Sequence, residues 1–151
     1  MKYPIWAWYQ WQGTEHRRPD LRFSGHLKKE TKGVLLELEV MADEVLLSYF
    51  DNFNNVLNYG YIADSEVEYD TFYDELESHE YCHYDLQSAD KDSDILNQFK
   101  IKLYESWEKI FDLERQRDER WSDKKENQSI QATMWEVKWE QVVSVKHFIA
   151  K

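Results

Sequence analysis

Cysteine is nearly absent from this chain: Cys82 is the one thiol in 151 residues. A single cysteine excludes an internal disulfide and any CxxC pair, and it fits a reducing compartment. Glycine is almost as scarce, with 4 in the whole chain. That leaves no material for a glycine-rich phosphate cradle, and GxGxxG, GxxxxGK[ST], GxSxG and HExxH are all missing. No linker rich in Pro, Gly or Ser divides the chain, and no internal repeat is visible. No apolar run approaches the ~18 residues of a membrane span. Met1-Lys2-Tyr3-Pro4 does not open a signal peptide. These absences read as a soluble, cytoplasmic protein with no membrane partner. Positive charge is also short, 19 Lys and Arg against 30 Asp and Glu for a net charge of -11. Such a chain repels nucleic-acid backbones, whose affinity depends on cations neutralising phosphates.

What is abundant is aromatic. Aromatics make up 16% of the chain, with 7 Trp and 10 Tyr. They bury much area per residue, but each indole N–H and phenol O–H taken inside needs a partner. Five fall in nine residues at the start, Tyr3-Pro4-Ile5-Trp6-Ala7-Trp8-Tyr9-Gln10-Trp11. Residues 3–12 read as a strand with Tyr3, Ile5, Ala7, Tyr9 and Trp11 on one face and Trp6, Trp8 and Gln10 on the other. Both faces are apolar or aromatic, so the strand is expected to be central and covered on each side. Gly13 ends it. The basic stretch of an otherwise acidic chain comes next, with Arg17, Arg18, Arg22, Lys28 and Lys29 against Asp20.

Residues 33–40 alternate as a strand, with Val34, Leu36, Leu38 and Val40 expected to face the core and Glu37 and Glu39 the solvent. After Asp43-Glu44 and the apolar Val45-Leu46-Leu47, Ser48 is expected to cap a helix over about 49–59. Phe50, Phe53 and Leu57 share a side of it, and Gly60 suits its C-terminal cap. Ser65-x-x-Glu68 is a capping-box pattern that starts a second helix carrying Tyr69, Phe72, Tyr73 and Leu76. Residues 79–92 read as loop. A third helix over about 94–113 has the stripe Leu96, Phe99, Leu103, Trp107 and Ile110, with Asp92 or Ser93 as cap. Residues 114–129 read as a charged loop, and 130–139 as a strand. Val142 to Ile149 reads as strand or short helix. The sum is one α+β domain over residues 1–151, with a mixed, mainly antiparallel sheet and about three helices.

These same segments carry a resemblance. Tyr3-Pro4-Ile5-Trp6-Ala7-Trp8-Tyr9, Pro19-Asp20-Leu21-Arg22 and Val45-Leu46-Leu47-Ser48-Tyr49-Phe50-Asp51 run in order towards Val56-Leu57-Asn58-Tyr59. Ser106-Trp107-Glu108-Lys109-Ile110-Phe111-Asp112 and Ile130-Gln131-Ala132-Thr133-Met134-Trp135-Glu136 follow. The chain resembles the bacterial domain-of-unknown-function family numbered 3841, less a segment that precedes the Tyr-Pro-Ile-Trp motif in that family. A more distant similarity to the ADP-ribosyltransferase superfamily implies nucleotide-dependent group transfer. NAD or another nucleotide would then be the cofactor, and Glu136 the acidic residue of a late strand.

Read from the residues themselves, Trp6, Trp8 and Tyr9 offer stacking faces beside Arg17, Arg18 and Arg22, whose guanidinium forks suit phosphate. Asp20 completes that turn, where it either joins the site or simply pairs with Arg22. The expected ligand is anionic and nucleotide-like. His79, Cys82, His83 and Asp85 form a local set of metal-ligand types without a second pair, and they read as surface residues instead. The acidic, tyrosine-rich stretch 64–92 suggests the alternative, a non-enzymatic module such as an antitoxin, inhibitor or phage accessory protein that docks a basic partner.

Overall fold

The computed structural model describes residues 3–13, 18–22, 27–115, 117–118, 121, 124 and 127–151. Among them are five strands in antiparallel sheets and four α-helices, an α+β fold. The chain forms two compact units, residues 1–47 with 129–151, and residues 48–128.

The first unit is mostly sheet. Strands β1 (Ile5–Gln10) and β4 (Ile130–Met134) pair antiparallel, and β3 (Leu46–Tyr49), which runs across the division between the units, lies on the other side of β4. The central strand is therefore β4, whose Ile130, Ala132 and Met134 are buried. β1 is an edge, with Ile5, Trp6 and Tyr9 exposed. This corrects the expectation of a covered central strand: apolar residues on both faces of β1 do not bring cover to both. A bulge between Trp8 and Gln10 also breaks its strict alternation. Gln12 and Gly13 take positive φ just past the strand, which turns the chain there as expected of Gly13.

A second sheet pairs β2 (Lys32–Leu38) with β5 (Val142–Ile149), so the last segment is a strand. Over residues 33–37 the faces are the reverse of the expectation, whereas Leu38 and Val40 are half-buried and Glu39 is exposed, as expected. Val34 and Leu36 are exposed, while Gly33, Leu35 and Glu37 on the opposite face are half-buried. Alternation tells which residues share a face but not which face is covered. Gly33 sits opposite Phe148, whose ring fills the space a side chain would take.

The second unit is helical. α1 (Phe50–Leu57) starts after Tyr49, not after a Ser48 cap, and Ser48 is buried at the end of β3. The left-handed position that closes α1 is Tyr59 (φ 54°), with the Gly60 N–H donating to Asn55 O at 2.7 Å. α2 (Glu66–Ser78) begins as expected, with Ser65 Oγ accepting from the Glu68 N–H at 3.1 Å. A short helix, α3 (His83–Gln87), lies within what the sequence suggests is loop; Asp85 holds its start by accepting from the Cys82 N–H. α4 (Asp94–Trp107) is capped by Ser93 and continues into a 3-10 turn over Glu108–Phe111. Phe72, Leu76, Leu86, Leu96, Phe99 and Leu103 form its core, and the α4 stripe is the inner face.

Candidate functional site

The sequence nominates the turn after β1, and the cations described there are already engaged. Arg22 makes a two-toothed ion pair with Asp20, Nε to Oδ1 at 2.8 Å and Nη2 to Oδ2 at 2.6 Å. The hydrogen bonds from Arg22 pull the Asp20 carboxyl down to about 2. Arg18 pairs with Glu37. Trp8 packs edge-on against Trp11, with ring centroids 4.5 Å apart. Trp6 and Tyr9 are exposed on the edge strand, and Arg17 lies outside the described residues. Glu136 lies past the end of β4 rather than within a strand, and is exposed, with Lys138 at 3.6 Å. Asp85 pairs with Lys91, and His83 packs beside Tyr73 and Tyr84, so these groups serve local structure.

A more complete constellation lies inside the second unit. It begins with residues 60–64, held against the end of α4. The Trp107 indole donates to Gly60 O at 2.9 Å, the Ile62 N–H to Ser106 Oγ at 3.1 Å, and Lys109 Nζ to Ile62 O at 3.0 Å. Lys109 also reaches Asp64 at 3.0 Å and Glu68 at 2.7 Å. Glu68 accepts from the Tyr61 hydroxyl at 2.9 Å. Burial would raise the Glu68 carboxyl, but Lys109, the Asp64 N–H and Tyr61 outweigh it and hold the carboxyl below its ordinary value. Burial together with the Glu68 carboxylate pushes the Tyr61 phenol up to about 12.

This braced segment positions two arginines. The chain after α4 is tied down by Tyr49, whose hydroxyl donates to Leu113 O at 2.8 Å, and by the Asp118 N–H donating to Asp64 O at 2.9 Å. The Arg115 side chain is only 8% exposed. Its Nε touches Asp64 Oδ1 at 2.7 Å without an aligned hydrogen bond, and its Nη1 and Nη2 are buried with no hydrogen-bond partner among the described residues. Arg117 lies over the Tyr49 ring, 4.1 Å from its centroid, and donates from Nη1 to Asn52 Oδ1 at 3.3 Å. Its Nη2 is buried without a hydrogen-bond partner among the described residues. Burial lowers the Arg115 pKa, and the charge of Arg117 adds to that lowering. Buried guanidinium donors left unmatched are costly, and two cations close enough to repel add to the cost.

Arg117 lines a cavity of about 220 Å³ with Asn52, Asn55, Tyr61, Tyr69 and Trp121. A second cavity of about 480 Å³ shares Asn55, Tyr61 and Tyr69 and extends to Tyr73, Glu77 and His83. Tyr69 stands beside Trp121, centroids 5.2 Å apart, and beside Tyr73 at 4.6 Å. An anion at Arg117 would find cationic donors, and a planar group beyond it would find aromatic walls. The sequence hid this site inside the charged segment 114–129, although Arg115-x-Arg117 and Trp121 repeat the pairing of basic forks with an aromatic that drew attention to the start of the chain.

No curated protein and no solved structure matches this chain. A family model described as "Domain of unknown function (DUF3841)" matches residues 1–143.

Proposed function

The chain belongs to the DUF3841 family, whose description assigns no chemistry, and from its own residues we propose that it binds a small anionic, nucleotide-like ligand in the second unit. One observation carries this reading: Arg117, which lines a cavity walled by Tyr61, Tyr69 and Trp121, has a buried Nη2 with no hydrogen-bond partner among the described residues. A phosphate or carboxylate matches such donors in charge and geometry. The aromatic walls accept a ring by stacking. The ligand class is the one expected from the sequence, NAD or another nucleotide included, while the place differs. Arg18 and Arg22 are paired internally, so the turn after β1 has less to offer an anion. The proposal is one of binding; Glu136, an exposed carboxylate beside Lys138, is given no group-transfer step.

Thermal-shift measurements with AMP, NAD and inorganic phosphate test this reading. A ligand at 100 times its Kd raises the stability of the folded state by about 2.7 kcal/mol. The shift is expected to vanish in Arg117→Ala and to persist in Arg22→Ala. The reverse pattern would move the site back to the turn after β1, and no shift with any of the three would overturn the reading.

A second reading has its own support. Residues 48–128 hold 21 of the 30 acidic residues and only 9 of the 19 basic ones. That concentration suits an electrostatically steered basic protein partner. Co-purification of such a partner, released by salt, together with silence in the nucleotide screen, is the outcome that would favour it.

A further inference from the structure

We infer that the larger cavity of the second unit is a base subsite that selects a nucleobase carrying an exocyclic amino group. The inference rests on the anion-binding reading of Arg117 and extends it to the far end of the same ligand. The two cavities share Asn55, Tyr61 and Tyr69, so a ligand anchored at Arg117 passes directly from one to the other. The shared residue suited to a planar ring is Tyr69, partly exposed beside Tyr73 and Trp121, while the Tyr61 ring is held in place by stacking on Phe72, interplanar angle 7°.

The polar groups of the larger cavity then set the choice of base. Glu77 lines it, and among the described residues its carboxylate makes no hydrogen bond or ion pair. An ionised carboxylate only accepts, so the ligand group that matches it is an N–H. Asn55 lines both cavities, and its side-chain amide is likewise unengaged among the described residues. An amide both donates and accepts, and it can pair with the amino group and adjacent ring nitrogen of adenine. Asn58, by contrast, spends its amide N–H on Asn54 O at 2.7 Å. A base with a carbonyl oxygen in place of the amino group would face Glu77 with acceptor against acceptor.

Isothermal titration of the full chain with AMP, IMP and ribose 5-phosphate tests the inference. Ribose 5-phosphate reports on the anion subsite alone. AMP is expected to bind at least ~10-fold more tightly than IMP, and Glu77→Gln, whose amide can turn to suit either base, is expected to bring the two within about twofold. Glu77 is exposed on α2, which makes the variant suitable for a binding comparison without disturbing the core. Equal affinities for AMP and IMP in the wild type, with ribose 5-phosphate still bound and Arg117→Ala abolishing it, would overturn the base subsite and leave the anion site standing. Binding of none of the three would overturn both. A preference for AMP that survives unchanged in Glu77→Gln would remove Glu77 from the account and with it this inference.

Discussion

Arg115 is the residue with the sharpest consequence. A buried cation that serves structure alone is matched by its surroundings, and removing it costs about 3–5 kcal/mol because its partner is stranded. Here Asp64 has a second cation, Lys109 at 3.0 Å, and two of the Arg115 nitrogens have no hydrogen-bond partner among the described residues to lose. Arg115→Met is therefore expected to leave the unliganded protein as stable as the wild type, or up to about 2 kcal/mol more stable, in urea denaturation. A loss of 3 kcal/mol or more would make Arg115 a structural residue. Tyr61 gives a test of the brace beneath it. Its phenol is held up at about 12 against an ordinary 10.0, by burial first and Glu68 second. A raised folded pKa adds stability that is present below the unfolded value and lost as pH rises through the folded one. Its contribution should fade between about pH 10 and 12. Tyr61→Phe is expected to show a shallower loss of stability across that window; identical alkaline profiles would deny that the phenol is held up in the folded state.

At the level of elements, the helices were far more legible than the strands. α2 and α4 have serine caps at Ser65 and Ser93 and apolar residues at helical spacing, and both signals are local to the chain. α3 is not legible because five residues carry too little periodicity to separate from loop. The strands failed in a different way. β1, β2, β4 and β5 all exist, but cover depends on neighbours that are remote in sequence. Nothing local says that β4 takes the central place from β1, or that the Gly33 face of β2 is the covered one. Gly33 tests that last point. A Cβ there would overlap the ring of Phe148 across the β2–β5 pair. Gly33→Ala must displace the ring and is expected to destabilise by about 1–3 kcal/mol, read as a lower melting temperature. Were the ring on the other face, the substitution would be neutral or slightly favourable in a strand.

Across the whole molecule, charge and structure are divided along the same line. Residues 48–128 have a formal charge of -12, from 21 acidic and 9 basic residues, and the remainder of the chain is close to neutral. The sequence made the acidity of 64–92 plain, but not that two arginines are partly buried within the same unit. Their burial depends on Tyr49 and Asp64, far away in the chain. Composition placed the basic forks and aromatics of a ligand site in the right classes, and folding decided which set is left unpaired. Arg22 closes on Asp20 two residues away, whereas Arg117 is held over Tyr49 with Nη2 unmatched. The central claim is thus one of location, and amide and indole NMR of the labelled protein titrated with AMP addresses it directly. The account predicts shift changes concentrated at Asn52, Asn55, Tyr69 and the Trp121 indole, with Trp6, Trp8 and Arg22 unmoved. Changes centred on Trp6, Trp8 and Arg22 instead, or none at saturating AMP, would contradict it.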